Sequence, residues 1–365
     1  MQRENKYDLL RTFSALAVIC IHVSQTYVDG ATSTDLWGGQ YYTEHMLTSC
    51  LYNSLSRFAV PCFIMLSGAF TLDNPKNADF KFFYRKTLTK IGIPTIIFSF
   101  LYLLYSCCVS VTSVIVGHSQ INRMFKLFID LIKGLPYYHM WYLYMMILVY
   151  LLTPIIIRLK RDIGEKNFVK VAVTFLPFAM LSAWTSQHEL YWDLGLSFCY
   201  LGYYMIGYVI RKRFEGMERN LKGYICIFFG LLIELVAAYL KYIRVSNGQS
   251  DDQFVYSVIG PYAPFICLAS LFIFTGFSLL SIKKRWAEKI AGKSMLIYLF
   301  HAGIWNVMSH IIISFIGINH DNRIAIPVSI IIVFIVSYVC STIYELFWKK
   351  IDNKYSITTK IVHLV

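Results

Sequence analysis

Apolar runs of about 20 residues recur along the whole of this sequence, and a run of that length is what the hydrocarbon core of a bilayer requires of a helix. The 365 residues are 57% hydrophobic and only 15% charged, with a mean hydropathy of +0.53. The pattern predicts an all-α, polytopic membrane protein of about ten transmembrane helices, at 8–27, 51–72, 90–116, 139–159, 168–187, 194–212, 222–243, 258–281, 294–316 and 324–348. The polar interruptions reach only about 20 residues, too short for a folded soluble domain. A single membrane domain over 1–365, with no fused extracytoplasmic domain, is the simplest organisation.

Lysine and arginine fix the expected orientation. With the N terminus inside, 26 of the 34 lie in alternate, inward segments, and six (Arg123, Lys126, Lys133, Lys241, Arg244 and Arg323) lie in outward ones. Positive charge collects on the cytoplasmic side of membrane proteins, so both termini are expected in the cytoplasm of a multi-pass protein. The net charge of +13 is then a matter of topology, and a nucleic-acid partner is not expected. The first span is not a cleavable signal, because an arginine interrupts its apolar region and no small-residue cleavage pattern follows. Eight of the nine cysteines fall inside spans, where a thiol acts as a small hydrophobe, and neither a disulfide nor a metal site is expected.

The spans carry polar residues that lipid does not tolerate. In KYDLLRTFSALAVICIHVSQTY, Arg11 and His22 are 11 residues apart. That spacing sets them on one helix face about 16 Å apart along the axis. A charge at such depth costs on the order of 3 kcal/mol or more unless it faces protein or a wet cavity. Asp8, three residues before Arg11, is placed to pair with it. Snorkelling of Arg11 and simple helix packing of His22 are the competing structural explanations.

The second span, SLSRFAVPCFIMLSGAF, holds Arg57, then Pro61 and Gly68. Proline is expected to kink the span and glycine to admit a close neighbour, whereas a guanidinium in the outer half of the membrane calls for an anion or a wet cavity. LPYYHMWYLY opens the fourth span with His139, Trp141 and Tyr142, which suit either an interfacial aromatic belt or a sugar-binding site. On the inner side, FKFFYRKTLTKIGIP interleaves Arg85, Lys86 and Lys90 with aromatics, as an interfacial helix or a phosphate-binding rim would. His301, in SMLIYLFHAGI, is expected about seven residues in from the cytoplasmic end of its span. Glu234 and Lys241, seven residues apart in the seventh span, are expected to form a structural salt bridge.

Taken in order, the Arg11 to His22 spacing, VPCFIMLSG, YRKTLTKIGIP, HMWYLY and IYLFH resemble the acyltransferase 3 family of integral membrane acyltransferases, and the resemblance covers nearly the whole chain. The branch it most resembles is that of the short bacterial O-acetyltransferases of cell-surface glycans, such as the one acting on enterobacterial common antigen. The resemblance implies a protein of the bacterial cytoplasmic membrane that carries an acyl group from cytoplasmic acetyl-CoA, or another acyl-CoA, to a glycan acceptor on the outer side. Acyl-CoA is a co-substrate in that scheme, with no bound cofactor, and the partners are membrane lipid, the glycan and glycan-assembly proteins. Arg11 and His22 fall on the family's essential arginine and histidine, with Asp8, Arg57 and His301 in support. Arg85, Lys86 and Lys90 fall near its basic acyl-CoA motif, although the usual paired arginines are replaced here by this looser spacing. His139, Trp141 and Tyr142 are expected to meet the acceptor. A neutral imidazole can deprotonate an acceptor hydroxyl or attack a thioester itself, and His22 suits either role. Arg11 suits the CoA end or a developing oxyanion. The same intramembrane polar residues would also line the path of a polysaccharide exporter or small-solute permease, which stands as the alternative.

Overall fold

The computed structural model describes residues 4–32, 46–115, 129, 136–185, 194–246, 263–282, 284–316 and 322–355. Among them the elements are helical, in the order α1 (Asn5–Thr32), α2 (Met46–Ser54), α3 (Ala59–Thr71), α4 (Phe80–Thr87), α5 (Ile93–Ile115), α6 (Trp141–Thr185), α7 (Leu194–Arg213), α8 (Asn220–Ser246), α9 (Pro264–Leu279), α10 (Arg285–Ile316) and α11 (Asn322–Tyr355). A short 3-10 turn, Pro75–Ala78, precedes α4, and a π turn, Leu88–Gly92, joins α4 to α5. Outward-loop residues Arg123, Lys126 and Lys133, and the side chains of Asp29, Asp35, Glu44 and His45 that the sequence offers for acceptor contacts, lie outside the described residues.

Six helical segments among the described residues are long and apolar enough to cross a membrane: Asn5–Val28, Met46–Thr71, Phe80–Cys108, Trp141–Pro177, Asn220–Arg244 and Asn322–Asn353. They are compatible with a multi-pass membrane protein. The other four expected stretches fall on helices that do not by themselves meet that length and apolarity among the described residues. Expected spans 139–159 and 168–187 fall on the two arms of α6, which is broken at Gly164 with φ 75° and ψ 161°, a conformation open to glycine because it has no Cβ. α9 has 16 residues, and α10 opens with two polar turns.

The second span departs from expectation in a useful way. It is two helices, α2 and α3, separated by a turn over 55–58, and Pro61 falls in the first turn of α3 instead of kinking a continuous helix. A first-turn proline gives up no hydrogen bond, because N–H groups there have no intrahelical partner. The freed N–H of Phe58 donates to Glu234 Oε1 of α8 at 2.9 Å. Glu234 therefore caps this break and does not pair with Lys241, whose Nζ donates to Asn53 Oδ1 at 2.9 Å. Seven residues restore the azimuth of a helix but separate two side chains by about 10 Å along it.

α3 and α7 pack backbone to backbone. A methyl group on Gly68 would overlap the carbonyl of Tyr204, and one on Gly207 would overlap the carbonyl of Met65. Such small-residue contacts let helices approach where the hydrophobic effect gives no drive. The largest apolar cluster surrounds this seam with Cys62, Met65, Tyr200, Tyr203 and Tyr204.

Arg211, at the end of α7, ties the start of the first helix to the end of α3. Its guanidinium donates to Glu4 Oε1 at 2.7 Å, Asp73 Oδ2 at 2.8 Å and Ala69 O at 3.2 Å, and lies 4.6 Å from the Phe70 ring centre. Its side chain is 5% exposed. Removing one partner of such a buried cluster leaves the others desolvated, so Arg211→Met is expected to cost about 3 kcal/mol in thermal unfolding of the detergent-solubilised protein. Burial pushes the Asp73 carboxyl up, but the hydrogen bonds from Arg211 and Lys212 outweigh it and hold the group below its ordinary value. The stabilisation is thus complete above the unfolded carboxylate pKa of about 3.9 and is lost as the pH falls through the lower folded value, and Asp73→Asn removes this acid dependence.

Candidate active site

α1 carries no glycine or proline through its apolar length, so it stays regular and keeps a polar stripe in register. Three of its hydroxyls bond back to the helix: Thr12 Oγ1 donates to Asp8 O at 2.9 Å, Ser24 Oγ to Cys20 O at 2.6 Å and Thr26 Oγ1 to His22 O at 3.2 Å. Asp8 Oδ1 stands 3.6 Å from Arg11 Nη1, as the three-residue spacing predicts.

Three histidines meet at the other end of that stripe. The ring of His22 is 5.2 Å from that of His301 in α10, and His301 is 5.2 Å from His139, just before α6. Tyrosines close the group, with Tyr138 5.0 Å from His22, Tyr298 5.3 Å from His139 and Tyr102 5.1 Å from His139. Apolar walls come from Val18, Ile21, Phe98, Met140, Leu143, Leu296 and Leu299. His139 and His301 are fully buried, and His22 is half-buried. The helix that carries His301 begins at Arg285, 16 residues earlier, so His301 stands about 24 Å along its axis, at the level of His22.

The tautomer of His301 follows from its partner. Nδ1 bonds to the carbonyl oxygen of Tyr298, which can only accept, so Nδ1 carries the hydrogen and Nε2 of the neutral ring keeps its lone pair. Nε2 is buried with no hydrogen-bond partner among the described residues, and so are both ring nitrogens of His139. Buried polar atoms are nearly always satisfied, and exceptions gather where a site does chemistry. Among the described residues no group of three or more His, Cys, Asp or Glu side chains is arranged to hold a metal ion.

A series of tyrosines leads away from the histidines. Tyr142 lies 5.4 Å from Tyr298, which in turn is 5.4 Å from His301. Inward, Tyr150 bonds to Ser67 and sits edge-on to Phe83 of α4 at 5.9 Å. Tyr142 therefore faces the site, whereas its neighbour Trp141 turns to Tyr200 of α7 at 5.9 Å and away from the histidines.

The inner basic residues divide. Lys86 Nζ donates to Asn77 Oδ1 at 3.2 Å, and Lys90 is exposed in the π turn. Arg85 keeps a buried Nε without a hydrogen-bond partner among the described residues. A guanidinium N–H in that state fits the oxygen of an anion. On the outer side, Arg57 donates to Asn53 Oδ1 at 2.8 Å and to Gln25 Oε1 at 3.3 Å, and Gln25 is one turn beyond His22. Asn53 is fully buried and gathers this corner, since Nδ2 donates to Ile21 O at 3.1 Å and Ser24 Oγ at 3.2 Å while Oδ1 also accepts Lys241.

The family model described as an acyltransferase domain matches residues 4–344. The chain belongs to the acyltransferase 3 family. All three histidines and Arg11 of this acyltransferase fall inside the matched residues. No curated protein and no solved structure matches the chain. Sequence reasoning picked out each of the histidines separately but missed Tyr102, Tyr298 and Asn53. Tyr298 alone had a local signal, lying three residues before His301 on the same helix face.

Proposed function

We propose that the chain is an O-acyltransferase moving an acyl group, acetyl in our reading, from cytoplasmic acyl-CoA to a hydroxyl of a cell-surface or lipid-linked glycan. The observation that carries this is the meeting of His22, His139 and His301, with Tyr298 and Tyr142 in series beside them. Arg11 and His22 are too far apart to touch one carbonyl. A flexible pantetheine arm laid along the tyrosines, with its phosphates toward Arg85, Lys86 and Lys90, would bring the thioester to the histidines. There, His22 either takes the proton of the acceptor hydroxyl, whose oxygen attacks the thioester carbonyl and expels CoA as thiol, or attacks the carbonyl itself and passes the acyl group on. His139 and Tyr142 are the acceptor contacts in this scheme, with Asp8 orienting Arg11 and Arg57 on the outer side.

In this reading the protein has ten spans and cytoplasmic termini, sits in the bacterial cytoplasmic membrane and belongs to the short glycan O-acetyltransferase branch as one membrane domain. It would work beside the proteins that assemble the glycan. The test is transfer of labelled acetyl from acetyl-CoA into envelope glycan by membranes carrying wild type or His22→Ala at matched expression. Label is expected with wild type and at least about 100-fold less with the variant. Equal labelling would remove His22 from the mechanism, and no label from either would remove acetyl-CoA as donor.

A further inference from the structure

The hydroxyl of Tyr102, on α5, enters α10 at the turn that carries His301. It donates to Leu299 O at 2.5 Å and accepts from Gly303 N–H at 3.1 Å. Those two backbone groups are four residues apart, and a regular helix bonds them to each other. The Tyr102 hydroxyl is thus bonded to both groups of one rung of α10, which stays helical through this turn. His301 lies between the two. The fit is close on the far side too, since a methyl group on Gly303 would stand 3.2 Å from the Tyr102 ring and hydroxyl. The ring itself is held by stacking on Tyr137 at 4.4 Å and 17°, and its edge contact with His139 links it to a second member of the site. Phenylalanine would serve that ring packing equally well. The hydroxyl is needed only for the rung of α10.

We propose that Tyr102 is a positioning residue whose hydroxyl, set into the Leu299–Gly303 rung of α10, directs His301 toward His22 and His139. The inference rests on the reading of these histidines as the reacting centre, and two readouts keep the two claims apart. The first is kinetic: Tyr102→Phe is expected to lower kcat about 10- to 100-fold while KM for acetyl-CoA stays unchanged, since a small misplacement of a reacting group has that effect. Gly303→Ala, which displaces the same hydroxyl from the other side, should do likewise. The second needs no activity. In 15N-histidine spectra of the solubilised full chain, the His301 resonances, assigned by their loss in His301→Asn, should show hydrogen on Nδ1 in wild type and shift in Tyr102→Phe. Shifted resonances with a lowered kcat support the proposal. Shifted resonances in a protein whose wild type transfers nothing support the positioning role and overturn the acyl-transfer reading. Unshifted resonances, or an active Tyr102→Phe with wild-type kcat, overturn the proposal.

Discussion

His301→Asn is expected to reach the membrane at the wild-type level and to transfer acyl groups about 10²- to 10⁴-fold more slowly, the range that loss of a positioned acid–base group covers. Asparagine is the informative replacement. Its amide nitrogen sits near the position of Nδ1 and can keep the bond to the Tyr298 carbonyl, so the turn of α10 is preserved. It has nothing in place of Nε2, the nitrogen that is buried without a hydrogen-bond partner among the described residues. Initial rates with labelled acetyl-CoA, normalised to protein in the membrane, measure the effect. Activity within threefold of wild type would assign His301 a packing role and leave His22 to work without it.

Gly207→Leu is expected to abolish folding. Most overpacking substitutions cost about 1–3 kcal/mol because neighbouring side chains give way. At Gly207 the obstacle is the Met65 carbonyl in the facing helix, and Gly68 meets the Tyr204 carbonyl a short way along the same seam. Neither can turn aside. α3 and α7 would have to separate, opening the cluster around Cys62, Met65 and Tyr204. A native protein holds only about 5–15 kcal/mol in reserve. Loss of the monodisperse peak in detergent chromatography, together with rapid proteolysis, is the expected result. Gly292→Ala, on an open face of α10 with nothing within 4 Å, is the control and should behave as wild type.

What the sequence disclosed was whatever depends on local spacing. Helical class follows from the apolar runs, the Asp8–Arg11 pair from a three-residue step, and the shared face of Arg11 and His22 from the helical repeat. Helix ends were harder to read, since α10 starts at Arg285, nine residues before the span expected from 294, and Lys293 within it pairs with Glu345 of α11. Azimuth was equally deceptive: Glu234 and Lys241 share a face but not a level, and Trp141 shares a motif with His139 but not a face. Tyr102 had no local signature, because its partner carbonyl is 197 residues away. Its hydroxyl is legible only once α5 and α10 are side by side.

The clamp between Phe58 and Glu234 bears on how the chain is made. The two residues are 176 positions apart. At ordinary rates of synthesis, about 5–20 residues per second, α3 emerges roughly 9 to 35 s before the carboxylate that caps it. During that interval the joint after α2 has an uncapped amide, and Arg57 lacks the corner that the later helix completes. The second span thus enters the membrane in provisional form. Its final shape, and with it the outer side of the histidine centre, is settled when α8 arrives, so a ribosomal stall between the two should yield an inserted but unassembled intermediate.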